Sequence, residues 1–105
     1  MNIGLVGLGN MGRNHLRVCR KIEAEFEDFN LTSLYDPAHE GMNNLELFMN
    51  SVENLDGVII CAPSHLHVDI SQKIFDINDS VKLLIEKPID DDIEKEQTLV
   101  EYADR

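Results

Sequence analysis

Gly7, Gly9 and Gly12 follow the apolar run Ile3-Gly4-Leu5-Val6 in the order G-x-G-x-x-G, with Asn10 and Met11 filling the two places before the last glycine. Each glycine suits a role that a side chain would spoil. The first permits a tight turn, the second lets the main chain approach a pyrophosphate, and the third lets a helix pack closely on a strand. The helix that follows opens with unpaired N–H groups and the positive end of its dipole, which suit phosphate oxygens. Asp36 ends the next apolar run, 24 residues beyond Gly12. That is close to the spacing at which a carboxylate accepts from the ribose hydroxyls of a dinucleotide. An ionised Asp repels a 2′-phosphate, and Pro37 follows it where an Arg would favour one, so NAD is expected over NADP. The other use of Asp36-Pro37 is simply to start a turn.

Further polar residues sit where strands are expected to end. Arg13 follows the last glycine, placed either to pair with a phosphate or to remain solvated in the first helical turn. His65 and His67 come just after Ala62-Pro63-Ser64. Their i, i+2 spacing puts them on different helix faces, so no shared metal is expected. Glu86-Lys87-Pro88 leaves the run Val81–Ile85, and ligands of open α/β sheets bind at such carboxyl ends. Lys87 there either polarises a hydroxyl or carbonyl or pairs with Glu86 at an exposed strand end.

The elements that must position these residues alternate between strand and helix patterns. Strands are expected at 2–7, 31–35, 57–62 and 81–85, and helices at 11–23, 43–51, 65–77 and 91–103. Gly57-Val58-Ile59-Ile60-Cys61-Ala62 is continuously apolar, as in a strand buried on both faces. Ser64 is suited to cap the helix after it, and Asp91 with Glu94 has capping-box spacing. The fold class is α/β, a Rossmann-like doubly wound parallel sheet in reduced form. Only twenty residues separate Asp36 from Gly57, too few for a helix, a third strand and their loops. The third strand is therefore expected to be missing or to survive as a vestige near Phe48-Met49, and the final strand to be short or missing after Arg105.

Composition limits the remaining classes. A chain of 105 residues is expected to form one domain. No stretch reaches the roughly 18 apolar residues that cross a membrane. A strand beginning at Asn2 leaves no room for a signal peptide, so a cytoplasmic protein is expected. Cys19 and Cys61 do not form a CxxC pair and read as buried, reduced thiols. The formal net charge of −11 argues against nucleic acid and anionic membrane as partners. Its acidic runs, Glu23–Asp28 and Asp90–Glu96, read as solvated helix surface.

The motifs G-L-G-N-M-G-R-N-H (7–15), Y-D (35–36), D-G-V-I-I-C-A-P-S-H-L-H (56–67) and I-E-K-P-I (85–89), taken in order, resemble the N-terminal half of the Gfo/Idh/MocA oxidoreductases. The resemblance covers residues 2 to about 100, with E-K-P its most specific part. It implies that the glycine turn and Asp36 hold NAD or, less readily, NADP. It implies that Ala62, Pro63 and His67 line the cofactor cleft, and that Glu86 and Lys87 stand beside it, with Lys87 reaching nicotinamide and substrate as the catalytic candidate. The opening glycine motif looks closest to members acting on sugars or nucleotide sugars.

Members of that family carry a second α/β domain that supplies the substrate pocket and the main acid–base residue. Residues 1–105 are expected to be the dinucleotide-binding domain without it. Two functions follow as expectations. One is the cofactor domain of an oxidoreductase moving a hydride between a sugar or polyol hydroxyl carbon and nicotinamide, not competent alone. The other is a naturally short dinucleotide-binding or partner-interaction module that is not an enzyme. Exposed apolar surface is expected where the absent parts would pack, which suits self-association or a partner that supplies a substrate domain.

Overall fold

The computed structural model of the chain describes residues 1–61 and 67–85. Among the described residues four parallel strands, β1 (Asn2–Val6), β2 (Asn30–Tyr35), β3 (Gly57–Ile60) and β4 (Lys82–Ile85), form one sheet in the order β2-β1-β3-β4. Helices α1 (Asn10–Glu25), α2 (Leu45–Ser51) and α3 (His67–Ile77) make the crossovers, with a 3₁₀ turn at Val52–Asn54. The two central strands explain the sequence pattern. Ile3 to Val6 and most of Gly57–Ile60 are buried on both faces, whereas β4 alternates exposed Lys82 and Leu84 with half-buried Leu83 and Ile85.

Alternate residues of each strand feed two core layers. Val6, Tyr35, Val58 and Ile60 pack with Phe48 and Val52, and with Ile70 and Ile74 of α3. Ile3, Leu5 and Leu31 pack on the opposite face with Leu8 and Cys19. On that second face an open apolar groove of about 570 Å³ remains beside Ile3, Phe29, Ile59 and Leu84. Neither cysteine is in a disulfide. Cys19 is buried, and its thiol is pushed up first by that burial and then by the charge of Glu23, with Arg20 opposing. Cys61 departs from expectation: it is half-buried and lies just past the end of β3.

The chain from β2 to β3 holds no strand among the described residues. The Phe48-Met49 segment is helix rather than a strand vestige, for two local reasons. The Asn44 side chain accepts from the Leu47 amide at 2.9 Å and caps α2. Phe48, Val52 and Leu55 recur at helical spacing and are all buried. Gly4 in β1 makes room for them, because a Cβ there would lie 2.8 Å from Leu55 Cδ1 and 3.2 Å from the Phe48 ring.

Among the described residues β2 is consequently an edge strand, and side chains of α1 close part of its edge. The Asn30 amide donates to Met1 O, towards β1, so the groups of Leu31 face the other way. The Leu31 amide donates to Glu23 Oε2 at 2.7 Å, and Arg20 Nη1 lies 3.5 Å from Leu31 O and 2.7 Å from Glu23 Oε1. Glu23 is therefore not the solvated surface residue its acidic run suggests. The Arg20 guanidinium, and then the Leu31 amide, hold its carboxyl below the usual glutamate range.

Other differences from the sequence pattern are small. β1 ends at Val6 because Gly7 turns the chain at φ 92°, and α1 starts one residue early and runs on to Glu25. The expected start of a helix at His65 with its Ser64 cap, and everything after Ile85 including the helix at 91–103, lie outside the described residues.

Candidate cofactor site

One row of the sheet register fixes where the site is. Tyr35 pairs with Val6, Val6 with Ile60, and Ile60 with Ile85. All four strands thus run out at one edge, where Asp36, Gly7 and Cys61 are the next residues of the first three. The Gly7 amide donates to Tyr35 O at 2.8 Å and the Cys61 amide to Val6 O at 2.7 Å, which tie the three exits together. β1 lies between strands reached in opposite directions, so this is the switch point at which open α/β sheets bind ligands.

The three glycines have three different structural causes. Gly7 adopts φ 92°, where a side chain is strained. Gly12 sits directly over it: a Cβ on Gly12 would lie 1.9 Å from Gly7 O and 3.6 Å from Cys61 Cβ. Helix, turn and the end of β3 meet at that one carbon. Gly9 is different. It caps α1 at φ −71° and ψ −162°, an extended backbone open to any residue, and none of the described residues comes within 4 Å of where its Cβ would be. The described residues give Gly9 no reason to be glycine.

That open space lies at the start of a 16-residue helix with no side-chain cap and no acidic residue in its first turn. Asn10 and Met11, both exposed, begin that turn, where amides lack intrahelical partners. Bare amides and an uncompensated positive dipole end suit an anion. A phosphate-bearing group therefore fits this turn, and a Cβ at Gly9 would occupy the space it needs. Arg13 is exposed, but its Nε donates back to Leu8 O at 3.2 Å, bracing the turn it follows.

Asp36 stands beside the turn, only 8% exposed. Its Oδ2 accepts the Leu8 amide at 2.5 Å and its Oδ1 the Ala38 amide at 2.8 Å. The second bond is the Asx-type turn expected of Asp-Pro, and the first reaches across to the glycine loop, so the carboxylate starts its own turn and also braces that loop. His67 opens the described part of α3 and is 2% exposed, its carbonyl accepting Ser71 Oγ at 2.6 Å. Ala62, Pro63, Glu86 and Lys87 lie outside the described residues. The structure thus brings together Gly7, Gly9, Asn10, Met11, Gly12 and Asp36. It adds the Leu8 amide and Cys61, which no residue-type pattern marks. Among the described residues no group of three or more His, Cys, Asp or Glu is placed to hold a metal ion, and no helix is long and apolar enough to cross a membrane.

Residues 1–105, the whole chain, match the model of an oxidoreductase family with an NAD-binding Rossmann fold, Gfo/Idh/MocA. The chain belongs to that family. An NAD-binding oxidoreductase from Klebsiella pneumoniae is similar to it over 100% of this chain and 32% of that one, at 24% identity and a TM-score of 0.76. The UDP-N-acetylglucosamine 3-dehydrogenase GnnA from Acidithiobacillus ferrooxidans is similar over 99% and 35%, at 23% identity and a TM-score of 0.74. The WlbA dehydrogenase from Bordetella pertussis, solved with NADH and UDP-GlcNAcA, is similar over 99% and 34%, at 20% identity and a TM-score of 0.72. At these identities the likeness is one of fold. The chain spans about a third of the length of these solved structures. No curated protein matches it.

Proposed function

We propose that residues 1–105 are the cofactor-binding unit of an oxidoreductase that moves a hydride between a sugar- or polyol-type hydroxyl carbon and a nicotinamide dinucleotide. The carrying observation is Gly9, whose missing side chain none of the described residues requires and a pyrophosphate does. The amides opening α1 receive the pyrophosphate. Asp36 receives the adenosine ribose, since an ionised carboxylate has about four acceptor positions and two main-chain amides take only two. A 2′-phosphate would meet the Asp36 charge with exposed Glu40 close by in sequence, which supports NAD over NADP. The bound nicotinamide supplies the hydride acceptor or donor. Neighbours named as a UDP-N-acetylglucosamine 3-dehydrogenase and as a complex with UDP-GlcNAcA support the sugar-type substrate.

Ala62, Pro63 and His67 line the nicotinamide side of the cleft in this proposal. Glu86 and Lys87 follow the end of β4, with Lys87 positioning or acidifying the reacting hydroxyl. The main acid–base residue and the substrate pocket then come from outside residues 1–105, whether from more of the same polypeptide or from a partner or second copy. Binding and orientation alone supply only part of a hydride-transfer rate, so the 105-residue chain binds dinucleotide and turns over little. The second function, a dinucleotide-binding or partner-interaction module without catalysis, uses the same glycine turn. Calorimetric titration of the 105-residue chain with NAD⁺, NADH and NADPH is the test. Saturable binding with NAD(H) ahead of NADPH is expected, and a folded chain that binds none of the three overturns the proposal.

A further inference from the structure

Two consecutive residues at the end of β2 each hold one amide of the glycine turn. Tyr35 O accepts the Gly7 amide at 2.8 Å, and Asp36 Oδ2 accepts the Leu8 amide at 2.5 Å. The second bond joins residues 28 apart in sequence and is buried. Leu8 lies between two glycines, the residues with most main-chain freedom to lose. Its side chain is only 4% exposed, and its carbonyl accepts Arg13 Nε. The turn is therefore gripped at both its N–H and its C=O before any ligand is present. Both grips are charge-assisted, one by the Asp36 carboxylate as acceptor and the other by the Arg13 guanidinium as donor, and such bonds are roughly twice as strong as neutral ones.

We propose that Asp36 is a positioning residue for the phosphate-binding turn: by accepting the Leu8 amide it sets the loop in its binding shape, separately from any contact it makes with ribose. The proposal rests on the glycine turn being a pyrophosphate cradle. It makes a prediction whose sign runs against simple electrostatics. Neutralising a carboxylate beside an anion site relieves repulsion and, by Coulomb's law alone, tightens pyrophosphate binding. If Asp36 holds the turn, the same change weakens it. In Asp36→Asn one of the two side-chain heteroatoms is an NH₂ group, so one of the Leu8 and Ala38 amides meets a donor where it had an acceptor.

The experiment is an NMR titration of the ¹⁵N-labelled 105-residue chain and of Asp36→Asn, with inorganic pyrophosphate and with NAD⁺ separately. The Leu8 amide of the ligand-free wild type is expected to be protected from hydrogen exchange. Asp36→Asn is expected to lose about tenfold in affinity for pyrophosphate as well as for NAD⁺, the size of one charge-assisted hydrogen bond. A variant that loses NAD⁺ but binds pyrophosphate as well as or better than wild type overturns the proposal and leaves the cofactor site standing, with Asp36 serving ribose alone. A wild type whose Gly7–Gly12 amides respond to neither ligand removes the cofactor site and this proposal together. Fast exchange of the wild-type Leu8 amide overturns the proposal even if Asp36→Asn does not fold.

Discussion

Replacing Gly9 with Ser separates what the fold needs from what a ligand needs. At φ −71° and ψ −162°, with none of the described residues within 4 Å of its Cβ position, residue 9 accepts a side chain without strain. Exchanging a glycine at such a position stabilises a protein by about 0.4–1 kcal/mol, because the unfolded chain has fewer states to lose. Ser is also the better helix cap by a few tenths of a kcal/mol, and α1 has no side-chain cap to displace. Together these give about 1 kcal/mol, or a rise in Tm of about 4–8 °C for a domain of this size. The same Cβ and hydroxyl fill the space in front of the first α1 amides, so NAD⁺ affinity falls by at least about tenfold, the loss of one hydrogen bond to a charged group. Thermal melts and calorimetric titrations on one preparation read both effects. A variant that melts higher and no longer binds is the expected outcome. Unchanged NAD⁺ affinity would refute the pyrophosphate cradle, and a lower Tm would refute the open space at residue 9.

Gly12→Ala should behave in the opposite way to Gly9→Ser. Its Cβ would lie 1.9 Å from Gly7 O, so main chain must move and stability in urea should fall by at least about 2 kcal/mol; an unchanged midpoint would show that helix and turn are not locked together. Glu23→Gln should change the acid limb of the stability curve. The folded-state pKa of Glu23 is lowered, first by Arg20 and then by the Leu31 amide. Its contribution is therefore complete above the titration range of an ordinary glutamate and is lost as pH falls through the lowered value. Tm should fall less steeply with acid in the variant than in wild type, and superimposable acid limbs would count against the Glu23 bonds.

Much of this arrangement was legible because it rests on residue types with one dominant use. Gly7 and Gly12 stand where a positive φ and a 1.9 Å approach admit nothing else, and Asp36 ends β2 as the spacing requires. Counting residues between Asp36 and Gly57 was enough to exclude a full third strand. What sequence could not decide was Phe48-Met49, since a short apolar run fits a strand or a helix. The Asn44 cap and the burial of Phe48 with Val52 and Leu55 settled it. The Leu8 amide left no trace, because every residue but proline has that donor. Glu23 was hidden in an acidic run, where a carboxylate accepting a main-chain amide looks like any solvated one.

Through the Arg20–Glu23 pair over Leu31, α1 also acts as a boundary, because among the described residues the helix, not another strand, takes up the outward groups of β2 at that point. The strand it shields, Asn30–Tyr35, has no charge and no proline, two of the usual guards against pairing with a foreign chain. Protection against such recruitment is therefore lent by the helix and lasts only while its later turns stay wound. Fraying of α1 beyond Arg20, too slight to register as global unfolding, would uncover a ready template for edge-to-edge growth. Acid and high salt, which weaken that ion pair, therefore bear first on how well this part of the β2 edge is covered.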